Sequence, residues 1–144
     1  MTITATIDSL GHKGEGIVLV DGRKVFVPFA LPGELVTLDV EGERGRLVEV
    51  LEPSPDRRTA PCPHFGVCGG CQLQHLDEGA YAAFKIGLIE TALQQAGIAA
   101  KVSRFVLAHG AGRRRATLHA RRDGRNVARE GINIVVISKI DIEL

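Results

Sequence analysis

Three cysteines lie within ten residues of one another: Cys62, Cys68 and Cys71, spaced C-x5-C-x2-C inside PCPHFGVCGGCQLQHL. Thiolates at this spacing can converge on one centre, because Gly69 and Gly70 let the backbone fold tightly around it. Soft sulfur donors select an iron–sulfur cluster or zinc. A cluster normally takes four cysteines, three of them local and one distant. Zinc would take the three cysteines and a histidine; His75 follows Cys71 at C-x3-H, and His64 is also close. Spacing alone leaves the two metals open. The plainer alternatives are three unliganded thiols, with His64 and His75 supporting a site from outside it. Crowding of all three cysteines beside two prolines and two glycines argues against free thiols.

A second chemistry is carried by charge. The chain has 144 residues and a net charge of +1, but residues 1–60 sum to −3 and residues 61–144 to +4. Residues 101–129 alone carry +8, nearly all of it arginine. Arginine forms bidentate contacts with phosphate, which points to a nucleic-acid partner against the alternative of a solvated basic face. The candidates are Arg113, Arg114, Arg115, Arg121 and Arg122, flanking an amphipathic strand, with His119 on the same outward face. Lys13, Arg23 and Lys24 sit in turns near Phe26 and Phe29, where cations and exposed rings could track phosphates and stack bases. The alternation of KVFVPF favours Phe26 as a core residue instead.

These groups need elements to hold them. Residues 1–52 read as five short strands: ITATID (3–8), GIVLV (16–20), KVFVPF (24–29), LVTLDVEG (35–42) and RLVEVLE (46–52). Asp21-Gly22 marks a tight hairpin, and the spacing predicts a small barrel or roll. PSPDRRTAP (53–61) holds three of the six prolines and reads as a linker into the cysteine segment. The period then becomes helical. Asp77 is the expected N-cap, Leu76 and Tyr81 are placed for a hydrophobic staple, and Gly97 stands at the C′ position. Tyr81, Phe84, Leu88 and Ala92 share one face. VSRFVL (102–107), RRATLHARR (114–122) and INIVVI (132–137) read as further strands.

The cysteine segment, followed by Tyr81 and Lys85 on a helix, resembles the RNA 5-methyluridine methyltransferases that carry a 4Fe–4S cluster. IDSLGHKGEGIVLVDGRKVFVPFALPGELV looks like that family's N-terminal TRAM domain, and GRRRATLHARR like the start of its central β-rich domain. Methylthiotransferases also have a TRAM barrel, but their C-x3-C-x2-C motif precedes it. The resemblance implies that Cys62, Cys68 and Cys71 ligate a 4Fe–4S cluster. It also implies an RNA substrate, ribosomal or transfer RNA, and S-adenosylmethionine as methyl donor. Two departures follow. The family's fourth cluster cysteine has no counterpart, since VAREGINIVVISKIDIEL contains none, so the cluster is incomplete, completed by a ligand such as His75, or absent. Nor is there a glycine-rich strand-to-helix turn for S-adenosylmethionine or a spare cysteine nucleophile.

The expectation is therefore an α+β chain. It comprises an OB-like TRAM RNA-binding β-barrel at 1–55, a linker and cysteine cluster loop at 56–75, a helix at 76–97 and a partial β-rich central domain at 98–144. The function expected is the RNA-binding N-terminal portion of an RNA (uracil-5-)methyltransferase, inactive by itself and cytoplasmic, monomeric or completed by a separate catalytic chain. No membrane or DNA partner is expected. The alternatives are a stand-alone TRAM module with a zinc site and a non-functional remnant.

Overall fold

The computed structural model describes residues 1–67 and 69–106, and the backbone of 122–123 and 126–127. Six strands form one sheet: β1 (Thr2–Thr6), β2 (Ser9–Leu10), β3 (Gly16–Val20), β4 (Arg23–Val27), β5 (Leu35–Glu41) and β6 (Arg44–Glu52). Their order across the sheet is β1-β5-β6-β4-β3-β2. All pairings are antiparallel except a short parallel contact between β4 and β6 at Phe26 and Arg44. The two edge strands, β1 and β2, are separated in the chain by only Ile7 and Asp8, so the sheet has to curl until its edges meet at that dipeptide. Backbone bonds hold the crossing: Ile7 N–H donates to Glu34 O at 2.9 Å and Asp8 N–H to Ile17 O at 2.8 Å. Register breaks at Leu35/Val36 and Thr37/Leu38 in the β5–β6 ladder add the bend that curling requires. The strand expected at 3–8 thus ends at Thr6, and Ser9–Leu10 beyond it forms a further short strand on the opposite edge.

The hairpin signal at Asp21-Gly22 is correct in detail. Val20 pairs with Arg23, and the two residues between them have φ of +50° and +76°, the type I′ combination that matches strand twist. Inside the curl lie Ile7, Val18, Val25, Val27, Ala30, Val36 and Leu38, each at most 3% exposed. Aliphatic side chains alone fill it. Phe26 is not among them: the side chains of Val25 and Val27 point inward, so alternation turns Phe26 outward. The core assignment for Phe26 is overturned by the register of its own strand.

Residues 53–61 are not a loose spacer. Ser54 is 7% exposed, Arg57 bridges to Leu76, Arg58 N–H donates to His75 O at 2.8 Å, and Asp77 N–H donates to Asp56 O at 2.9 Å. The segment pairs with the far end of the cysteine loop and ties both to the sheet. Helix α1 (Glu78–Gln95) then starts where expected, with the Asp77 carboxylate accepting from Ala80 N–H at 2.8 Å. It ends on Gly97, φ +74°, with Gly97 N–H to Gln94 O and Ile98 N–H to Leu93 O, the paired bonds of a Schellman cap. No residue of α1 is buried. Residues 102–106 form no strand, contrary to the β reading. They run beside the helix instead: Val102 N–H donates to Glu90, and Phe105 meets Tyr81 edge-on at 6.3 Å. Arg122–Asp123 pairs antiparallel with Asn126–Val127. The strands expected at 114–122 and 132–137 otherwise lie outside the described residues, as does the central domain they would build.

Candidate functional site

The cysteine loop is held against the sheet by a buried ion pair. Glu34, fully buried at the end of the Leu31–Glu34 turn, accepts from both Nε and Nη2 of Arg57. It also accepts from Leu31 N–H at 2.8 Å and Ser54 N–H at 3.2 Å. Arg57 Nη2 reaches on to the Phe29 carbonyl at 2.7 Å. Burial pushes the Glu34 carboxyl pKa up, but the Arg57 hydrogen bond, the two backbone donors and the guanidinium charge together hold it below the usual value. Neither residue was singled out in the sequence. A glutamate closing an LPGE turn and an arginine in a proline-rich segment carry no local mark of being partners 23 positions apart.

Above this pair is an aromatic cluster. Phe29, with φ of +67°, packs edge-on to Phe65 with centroids 5.1 Å apart, and Phe65 lies 5.2 Å from His75. His75 is 2% exposed, and neither ring nitrogen has a hydrogen-bond partner among the described residues. Burial, and then the positive charge of Arg57, push its pKa down to about 4, against a smaller opposing effect of Glu34. The ring is neutral at pH 7. A further contact locks the loop: Gly14 has φ of +87°, and a Cβ built there would lie 2.9 Å from the Leu73 side chain, so only glycine lets the 11–14 turn seat against the loop.

Cys62 and Cys71 are in no disulfide among the described residues and are both half-buried, and Cys62 N–H donates to the Gln74 side chain at 3.1 Å. Gly69 takes the positive φ, +71°, that a tight turn between the last two cysteines uses. Cys68 lies outside the described residues, and among the described residues no group of three His, Cys, Asp or Glu stands together as a metal site. The donors suit an iron–sulfur cluster or zinc in kind. In number they fall one short of four sulfurs.

Beside this loop runs a groove of about 890 Å³, bordered by Lys13, Phe26, Phe29, Arg44, Cys71 and Gln72 among others. A second, of about 720 Å³, continues past Lys13 to Arg58, Tyr81, Phe84 and Lys85 on α1. Of the cations expected to meet RNA, Lys13 is exposed at the join of the two. Arg23 and Lys24 are exposed at the β3–β4 hairpin and border neither groove, although Lys24 shares the outward face of β4 with Phe26. Arg113, Arg114, Arg115 and Arg121, the side chain of Arg122, and His119 lie outside the described residues. The sequence reading missed Arg44, which β6 brings beside Phe26 by non-local pairing. Arg46 is engaged by Asp39, whose carboxyl is held below its usual range by the Thr2 hydroxyl and then by Arg46. No helix among the described residues is long and apolar enough to cross a membrane.

Comparison with known proteins gives this geometry a context. The TRAM domain family model matches residues 1–51. An uncharacterized RNA methyltransferase of Caulobacter vibrioides is 42% identical over 121 residues, covering 83% of this chain and 29% of its own. The 23S rRNA (uracil(1939)-C(5))-methyltransferase RlmD of Methylococcus capsulatus is 42% identical over 141 residues, 92% of this chain and 31% of its own. A tRNA (uracil-54, C5)-methyltransferase of Pyrococcus abyssi, solved with S-adenosyl-L-homocysteine, overlaps 63% of this chain and 21% of its own at 26% identity and a TM-score of 0.46, too loose to argue from. The chain therefore carries a TRAM domain at residues 1–51 and is similar over most of its length to RNA methyltransferases, of which it spans about three-tenths.

Proposed function

We propose that this chain is the RNA-binding N-terminal portion of an S-adenosylmethionine-dependent RNA (uracil-5-)methyltransferase acting on ribosomal or transfer RNA in the cytoplasm. The observation that carries this reading is the TRAM match over residues 1–51 in a chain whose sequence relatives are RNA methyltransferases. Exposed Lys13, Arg23 and Lys24 offer the positive charge that a phosphate backbone rewards, and the sequence adds the arginines of 113–122 to the proposal. The described residues contain no glycine-rich cofactor loop of the kind that methyl transfer needs.

The test is binding of a fluorescein-labelled single-stranded RNA to the purified 144-residue chain, followed by anisotropy across a salt series. Affinity should fall steeply between about 50 and 200 mM salt, with a log–log slope near −0.7 for each phosphate contacted. Absence of binding at the low end would remove the RNA reading. Within it, Cys62, Cys68 and Cys71 are the ligands of an iron–sulfur cluster, supported by their spacing, their sulfur donors and the turn at Gly69. Anaerobic purification should then yield iron with acid-labile sulfide.

A second reading, a TRAM module with a zinc site, is favoured by one observation: His75, four residues past Cys71, is buried with neither nitrogen partnered among the described residues. Three thiolates and one imidazole make a structural zinc set. Stoichiometric zinc without sulfide would select it.

A further inference from the structure

We propose that Phe26 is a stacking platform for one unpaired base, with Lys13 and Arg44 gripping the phosphates on either side. The inference rests on the RNA-binding reading and adds to it the place and the class of contact. Phe26 is half-buried on the outer face of β4, outside the aliphatic core, and borders the groove beside the cysteine loop. Its ladder partner on β6 is Arg44, and Phe26 N–H donates to Glu43 O at 2.8 Å, so ring and guanidinium belong to adjacent, hydrogen-bonded backbone. Lys13, in the 11–14 turn, lines the same groove. Both cations are exposed, and neither is in an ion pair among the described residues, whereas Arg46 is held by Asp39 and Arg58 lies near Glu78.

Charge alone does not explain the groove. Glu15, Asp39 and Glu41 line it too, so it is close to neutral as a whole. A simple anion trap would not be built this way. A ring and two cations sharing one groove with carboxylates suit a ligand that has a π face as well as phosphates: a nucleotide in a single strand. Every base offers such a face, so the contact tolerates any sequence but requires the base to be unpaired.

The chain contains no tryptophan, which makes the test direct. In Phe26→Trp the single indole should be quenched on titration with a ten-nucleotide oligouridine, while affinity stays near wild type. Phe26→Ala should weaken that oligonucleotide about fivefold or more. It should leave the salt slope, and binding to an RNA duplex, unchanged. Lys13→Ala should instead flatten the salt slope by about 0.7. Phe26 lies outside the core, so these variants should stay folded at the assay temperature, which thermal unfolding checks. Wild-type binding with no quench in Phe26→Trp, or an unchanged affinity in Phe26→Ala, would overturn the stacking site and leave RNA binding standing. An equal loss on single strand and duplex would do the same. If the wild-type chain binds no RNA, the reading beneath the inference has failed as well.

Discussion

Replacing Arg57 with methionine tests what fastens the cysteine loop to the sheet. Methionine keeps the apolar stem and deletes the guanidinium, leaving Glu34 buried with only the Leu31 and Ser54 N–H groups. The stranded carboxylate can escape by taking up a proton. That escape sets a ceiling on the cost: between the ordinary pKa of 4.5 and pH 7 it amounts to about 3.4 kcal/mol. Loss of the bond to the Phe29 carbonyl adds about 1 kcal/mol, for a total near the 3–5 kcal/mol expected when one partner of a buried pair is removed. With a urea m-value of about 1.5 kcal/mol per molar, the unfolding midpoint at pH 7 should fall by 2–3 M. The penalty must also depend on pH. In the wild type the Glu34 pKa is depressed, so its stabilisation is present above about 4.5 and lost as pH falls through the lower folded value. In Arg57→Met the folded pKa is raised, and stability is lost as pH rises instead. The difference between the two proteins should therefore shrink to about 1 kcal/mol at pH 4.5, and Glu34→Gln in the Arg57→Met background should recover most of it at pH 7. A penalty below about 1 kcal/mol at pH 7, or one flat with pH, would refute the claim that this pair is a buried charge.

Two further predictions concern the same junction. His75 is buried and neutral with its pKa at about 4, so below 6.5 the unfolded chain binds a proton that the folded ring refuses. Stability is complete above pH 6.5 and falls toward pH 4 by up to about 3 kcal/mol, and His75→Phe, which suits the Phe29–Phe65 cluster, should shrink the fall in urea midpoint between pH 7.5 and 5. An undiminished fall would remove the argument. Gly14→Ala meets both a φ of +87° and Leu73 at 2.9 Å, while Gly33→Ala meets a φ of +80° with nothing within 4 Å. The first should cost about 1–3 kcal/mol and the second about 1 kcal/mol, read as thermal midpoints, and equal losses would mean that the Leu73 contact is not tight.

Local chemistry was legible wherever a residue and its partner are close in the chain. The Asp21-Gly22 hairpin, the Asp77 N-cap and the Gly97 C-cap all depend on neighbours within about five positions, and the sequence alone determined each of them. The cysteine spacing and the strand pattern of residues 1–52 were equally plain, because alternation and turn residues write a small curled sheet directly into the chain, and the TRAM resemblance lay over the same stretch. What escaped was non-local. Glu34 and Arg57 meet only because the sheet curls and the proline-rich segment docks on it, so a stretch that reads as a linker became part of the packed structure. Phe26 illustrates the same limit. Its strand alternates, but alternation does not say which face is inside, and only the fit of Val25 and Val27 against Ile7, Val36 and Leu38 decided it. That choice turned the ring outward, and the β4–β6 pairing placed Arg44 beside it. The chain itself specified which chemistries were available; burial and long-range pairing decided which side chains would share a site.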